Sequence, residues 1–142
     1  MQDLTALREL KIYNCEELSL TEEEENQDLK LSLQMLVINC LPKLEVLPQW
    51  LKGSANTLQH LEIDDCHNFT TLPEWLPSLK SLQRLLILLC PKLSYLPEGM
   101  QDLTTLRELK IIGCPNLRTK RKQDWPQIAH IPEVYLDADH RS

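Results

Sequence analysis

The sequence predicts an α/β solenoid: a curved stack of short parallel strands lining a concave face, with short helical or 3-10 turns and loops on the convex face. Three observations predict it. One segment is written five times, as LRELKIYNC (7–15), LQMLVINCL (33–41), LQHLEIDDC (58–66), LQRLLILLC (82–90) and LRELKIIGC (106–114), with starts 26, 25, 24 and 24 residues apart. Self-similarity at such a period marks a stacked array. Inside each copy, L-x-I alternates apolar and polar residues, as a strand with one buried face does. Finally, leucine supplies 30 of 142 residues and phenylalanine only one, which suits a core that repeats one slot in every layer.

The elements follow in chain order. The strand apolars are Leu10/Ile12, Leu36/Ile38, Leu61/Ile63, Leu85/Ile87 and Leu109/Ile111. Identical strands in successive layers can pair only in parallel, so each needs a return path. That path begins with Leu47-Pro48, Leu72-Pro73 and Leu96-Pro97. Proline lacks an N–H and has a fixed φ, which suits the first position of a short helix or 3-10 turn. The first return departs from the rule with Thr21-Glu22-Glu23-Glu24-Glu25-Asn26. Four adjacent glutamates repel one another and stay solvated; the reading is a convex-side bulge, with an acidic docking site for a basic partner as the sharper version.

MQDLTALRELKI (1–12) matches MQDLTTLRELKI (100–111) at eleven of twelve positions. In the second copy the methionine lies inside a repeat, so Met1 reads as a mid-repeat position and the chain as the tail of a longer solenoid. After Leu117 the repeat stops. A basic run, Arg118-Thr119-Lys120-Arg121-Lys122, leads to Trp125, Ile128 and Ile131, which can cover the last layer, and to Val134 and Leu136, which can mimic one more L-x-I strand. The organisation is five repeats over 1–118 (starts near 7, 33, 58, 82 and 106), then a cap and frayed tail over 119–142.

Four cysteines, Cys15, Cys66, Cys90 and Cys114, hold one place per repeat, while Cys40 sits one residue early with Leu41 in the slot. Layers about 4.8 Å apart would stack these thiols in a buried row of small apolar fillers. No C-x-x-C occurs, so a zinc site is not expected. Unpaired buried thiols fit a reducing compartment, and the opening residues lack a secretory signal, so a cytoplasmic location is expected. No apolar run reaches the length of a membrane span. The net charge of −6 divides into −8 over residues 1–71 (5 basic, 13 acidic) and +2 over 72–142 (10 basic, 8 acidic). The acidic repeats argue against a nucleic-acid platform.

The frame L-x-x-L-x-I-x-x-C, followed by x-x-L-x-x-L-P, resembles the plant intracellular subtype of leucine-rich repeat, whose stacks curve into a horseshoe. The ending is more specific. Cys114-Pro115-Asn116-Leu117, the basic run and Asp124-Trp125-Pro126-Gln127-Ile128-Ala129-His130-Ile131-Pro132 resemble the end of plant disease-resistance proteins, the coiled-coil, nucleotide-binding, leucine-rich-repeat immune receptors. The resemblance spans essentially the whole chain. It implies a recognition module that senses pathogen effectors or guarded host proteins and holds the receptor inactive against its own nucleotide-binding domain. The chain has no G-x-x-x-x-G-K-[ST], so ADP or ATP would belong to a domain outside it, and no cofactor is expected here. The tail also departs from the family, which often carries a second cysteine and a glycine where this chain has Thr119 to Gln123. The rival class is an adaptor or ubiquitin-ligase substrate receptor; an F-box-like segment upstream would favour it, and a P-loop upstream the immune receptor.

Residues flanking the strand apolars face away from the core. The expected partner-binding residues are His60, Glu62, Asp64 and Asp65 in the third repeat, Arg84, Leu86, Leu88 and Leu89 in the fourth, and Lys110 and Ile112 in the fifth, with Glu108 alongside. The first two repeats offer Glu9, Lys11, Tyr13, Met35, Val37 and Asn39. Leucines on outward strand positions make an apolar patch beside an acidic one, and such patches mark contact sites. Asp64-Asp65-Cys66-His67 tempts a metal reading, but consecutive strand residues point to opposite faces. The scattered histidines His60, His67, His130 and His140 form no catalytic constellation with a cysteine, so no enzyme is expected.

Overall fold

The computed structural model describes residues 8–16, 32–94, 96–115, 128 and 130–136. The acidic stretch Glu22 to Glu25, the basic run 118–122, Trp125 and Pro126, and the tail 137–142 lie outside the described residues. Among the described residues there are six strands: β1 (Glu9–Tyr13), β2 (Met35–Asn39), β3 (His60–Asp64), β4 (Arg84–Leu88), β5 (Glu108–Ile112) and β6 (Glu133–Leu136). They form one sheet in sequence order, parallel throughout. The chain is a solenoid with short 3-10 turns on its return paths.

Register follows from the repeat. Leu10, Leu36, Leu61, Leu85, Leu109 and Val134 stand in one row across the sheet, and Ile12, Ile38, Ile63, Ile87 and Ile111 in a second, with Leu136 in register beside Ile111. A slip of one residue in any layer would turn both apolars out of the core. Leu36, Leu61, Leu85 and Leu109 are fully buried, whereas Leu10 and Ile12 in the edge strand β1 are only partly covered. The layer is therefore sealed by its neighbours, as expected of a one-dimensional stack.

The ladder continues past both strand ends. Below, the carbonyl of the residue preceding each of the first four strands accepts two N–H groups from the next layer: Arg8 O from Gln34 and Met35, Gln34 O from Gln59 and His60, Gln59 O from Gln83 and Arg84, Gln83 O from Arg107 and Glu108. Above, the residue after each of the first five strands adopts a left-handed conformation: Asn14, Cys40, Asp65, Leu89 and Gly113, with φ of 55°, 61°, 62°, 56° and 75°. Its N–H still donates to the next layer, as in Cys40 to Asp64 O and Leu89 to Ile112 O, at 2.9 and 2.8 Å. One residue thus adds a rung and reverses the chain toward the core slot filled by Leu41, Cys66, Cys90 and Cys114.

The prolines act differently from expectation. Pro48 is not the first turn residue but the one before it, extended at φ −70°, ψ 144°, and the 3-10 helix runs Gln49–Ser54. The later 3-10 helices begin further on, at Leu76–Ser78 and Met100–Asp102. The reason lies in the carbonyls: Pro48 O and Pro73 O accept the N–H of Leu51 and Leu76 at 3.2 and 3.1 Å. Proline opens the turn through its acceptor, and its missing donor falls where none is needed.

Return paths are tied by hydroxyls that the repeat pattern did not flag. Thr57, Ser81 and Thr105 each donate to a carbonyl one layer back, on Leu33, Asn56 and Lys80, at 2.8, 2.7 and 2.7 Å. Buried Ser54 accepts the Leu33 N–H at 3.0 Å. At the far end, Ile128 and Ile131 join the core and Val134 packs against it. β6 makes the sheet six layers deep, one more than the five cysteine-bearing repeats.

Candidate functional site

Outward strand positions form a grid on the concave face. Its middle rows read Lys11, Val37, Glu62, Leu86, Lys110, Tyr135 and Tyr13, Asn39, Asp64, Leu88, Ile112 across the sheet. Neighbouring columns are about 4.8 Å apart, so the β3 column is acidic and the β4 column beside it apolar. Glu62 stands level with Leu86, and Asp64 with Leu88.

The apolar side differs in detail from expectation. Leu86, Leu88 and Ile112 are half-covered by their neighbours, and Leu89 alone stands well out, at 52% exposure. Val37, expected to face solvent, is buried although it lies outside the core cluster. Leu89 combines two unfavourable features, a large apolar side chain in water and a left-handed backbone. For a residue other than glycine, asparagine or aspartate that conformation costs about 1–2 kcal/mol. Its Cδ2 leans over Gly113, where a Cβ would lie only 2.7 Å away, so the glycine of the next layer makes room for it.

The acidic side holds three carboxylates in a short space. The strand ends at Asp64, and Asp65 takes the left-handed turn, so 64–67 is not the continuous strand that alternation assumed. Cys66 turns into the core while Asp64 and Asp65 keep partial solvent contact. Burial, then the Glu62 charge, then that of Asp65, raise the Asp64 carboxyl above its ordinary pKa of 3.8. The side-chain partners of this cluster among the described residues are two imidazoles and one amide. His60 Nε2 meets Glu62 Oε1 at 3.2 Å, His67 Nε2 meets Asp65 Oδ1 at 2.7 Å, and Asn39 Nδ2 donates to Asp64 Oδ2 at 3.4 Å. Arg84 and Lys110 turn the other way. Arg84 Nε pairs with Glu108 Oε1 at 3.3 Å, and Lys110 Nζ lies 5.4 Å from the centre of the Tyr135 ring, within cation–π range.

A shallow cavity of about 630 Å³ lies along the lower rim, lined among others by Gln59, Gln83, Arg107 and Glu133. It takes in His60 and Arg84 but not the leucines, which sit toward the C-terminal ends of the strands. The structure therefore brings Glu62, Asp64, Asp65, Leu86, Leu88 and Leu89 together on two adjacent columns, with Ile112 on the third. It sets His60, Arg84 and Lys110 along the margins.

The thiols in the repeat's core slot, Cys15, Cys66, Cys90 and Cys114, face the core, and Cys40 lies outside it. Cys66, Cys90 and Cys114 are buried, and Cys15 and Cys40 are partly exposed; none of the five forms a disulfide. The buried three donate to the carbonyls of Asp64, Leu88 and Ile112 at 3.6, 3.4 and 3.7 Å. Burial raises the Cys66 pKa; contact with the Cys114 thiol, then burial, raises that of Cys90. A thiol held protonated is a poor nucleophile and a poor metal ligand. Among the described residues no helix is long and apolar enough to cross a membrane.

The left-handed column is the feature that sequence reasoning missed. Its signal was present: Asn14, Asp65 and Gly113 are the residue types that accept this conformation, and they recur at one slot. Cys40 and Leu89 at the same slot hid it. No protein-family model and no curated protein matches the chain.

Proposed function

We propose that this chain is a non-enzymatic protein-recognition module whose concave face, centred on β3 and β4, contacts a protein partner. The observation that carries the reading is the apolar patch of Leu86, Leu88, Leu89 and Ile112 on an open sheet face beside the Glu62–Asp65 carboxylates. A sheet face made for solvent alone would carry polar residues at these positions. The repeat frame and the Asp124-Trp125-Pro126 ending support a finer version. In it the module belongs to a cytoplasmic plant innate immune receptor, senses a pathogen effector or guarded host protein, and restrains the receptor through its own nucleotide-binding domain. ADP or ATP would then be that domain's ligand, and this chain would need no cofactor.

The test is immune-cell-death signalling by a full-length receptor that contains these repeats and carries Leu86→Lys with Leu88→Lys. Both positions are half-exposed, so the fold is expected to survive. The expected outcome is loss of the response to effector, or signalling without it. Wild-type behaviour under both conditions would remove the concave face from the function.

A further inference from the structure

We propose that the β3–β4 face receives a protein segment in which cationic and apolar side chains lie side by side, the cations over Glu62, Asp64 and Asp65 and the apolar groups over Leu86, Leu88 and Leu89. This rests on reading the concave face as the recognition surface and adds the chemistry of what it recognises.

Charge complementarity selects the occupant. Three carboxylates occupy the end of one column, and among the described residues none forms an ion pair with a lysine or arginine. Their contacts are two imidazoles and one amide. The nearest cations of the face are committed elsewhere: Arg84 to Glu108, Lys110 to Tyr135. Lys11 stands two columns away across Val37, about 10 Å at the usual strand spacing. A ligand cation placed here would gain attraction to several carboxylates and relieve the repulsion among them. An anionic segment would meet the opposite.

The apolar column fixes the rest. Glu62 and Leu86 are level, as are Asp64 and Leu88. A partner must therefore change from cationic to apolar within one strand spacing. An extended segment crossing the columns does this with neighbouring side chains, and a helix with residues on adjoining edges of one face. A second copy of this chain fits poorly. Its net charge is −6, and Arg84 and Lys110 already have partners. Apolar contact would hold the complex, while the carboxylates would steer encounter and exclude acidic competitors.

The experiment uses the purified 142-residue chain and three fluorescent decapeptides. One alternates lysine with leucine; the others replace every lysine by serine or by glutamate. Anisotropy is read at low and high salt, with light scattering to follow association of the chain. The expected result is binding of the lysine peptide, at least about tenfold weaker binding of the serine peptide, none of the glutamate peptide, and weakening with salt. In the combined variant Glu62→Gln, Asp64→Asn, Asp65→Asn the lysine preference should vanish. Asp65→Asn alone, at a left-handed position that asparagine accepts, should reduce that preference if the combined variant fails to fold. Equal binding of all three peptides, no binding of the lysine peptide, association of the chain with itself in its place, or a lysine preference that survives the substitutions would each overturn the proposal. If Leu86→Ser with Leu88→Ser abolishes binding while the charge variants leave affinity and salt dependence unchanged, the recognition face stands and the cationic partner falls. If neither set alters binding, both fall.

Discussion

At the scale of single residues, the sharpest constraint is the left-handed position that closes each strand. Gly113 holds it at φ 75° with the Leu89 side chain against it. Gly113→Ala adds a Cβ into a 2.7 Å contact and a conformation that alanine disfavours, so it is expected to cost more than about 1 kcal/mol. Leu89→Asn, at the same slot one layer back, exchanges the exposed leucine for a residue that accepts the turn and should stay within about 1 kcal/mol of the parent. Urea denaturation of the two variants checks both; an undisturbed Gly113→Ala would contradict the packing of Leu89. Asp64 gives a pH-dependent counterpart. Its carboxyl is raised above 3.8 in the folded chain by burial, Glu62 and Asp65, with His60 bonded to Glu62 beside it. As pH rises from 3.8, the unfolded chain loses this proton first, so the native state binds more protons and stability falls until the folded pKa is passed. Asp64→Asn should therefore be more stable than the parent at neutral pH, by less than about 1 kcal/mol because solvent screens the site. The gain should fade on acidification and vanish below the unfolded pKa. Melting both proteins across that range tests the sign; a less stable variant at neutral pH would overturn it. Part of this scale was legible in the sequence. Outward and inward residues follow from alternation alone, so the carboxylates and leucines could be placed side by side. Burial on the outward face could not, because Val37 is covered by its surroundings and Leu86 by its cross-strand neighbours, and these depend on curvature.

At the scale of elements, each strand is defined by two apolars and sealed by the layers on either side. Leu85 is fully buried in β4, between β3 and β5. Leu85→Ala leaves a cavity in the middle of the stack and typically costs about 2–5 kcal/mol. Because layers stabilise one another through nearest neighbours, the expected result is a broadened, less cooperative melt or insolubility. Lys80 has an exposed side chain, and the Thr105 hydroxyl uses only its backbone carbonyl, so Lys80→Ala should be neutral. Circular dichroism melts of the pair give the check; two melts like the parent's would mean that Leu85 is not a core position. Strands and their register were readable because alternation and period are properties of the chain itself. The 3-10 helices were readable only as the presence of a turn after L-P. Where each begins depends on which carbonyl accepts, and Gly99, at φ 95° before Met100–Asp102, uses a freedom that Trp75 in the matching place lacks.

At the scale of the whole molecule, a parallel stack has two ends, and each end exposes backbone groups and apolar side chains that the interior layers cover. The described structure treats its ends differently. At β1, Leu10 and Ile12 remain partly exposed. At the other end, β6 supplies a sixth rung to β5, Ile128 and Ile131 are buried in the core, and His130 Nε2 meets the Leu103 carbonyl at 2.9 Å, one more tie to the preceding layer. A chain ended before Ile128 would lose these contacts together. Leu109 and Ile111, now 0% and 2% exposed, would face water, and the β5 edge would present unpaired N–H and C=O groups to other chains. Aggregation is the expected result, seen as loss of the monomer peak in size-exclusion chromatography. Ile128→Asp with Ile131→Asp should act in the same direction without removing β6, because it places two charges in the apolar end of the stack. A shortened chain that stayed monomeric with an unchanged melting temperature would show that the terminal segment is dispensable to the stack, and its exposed surface would then become a second face to test for partner contact.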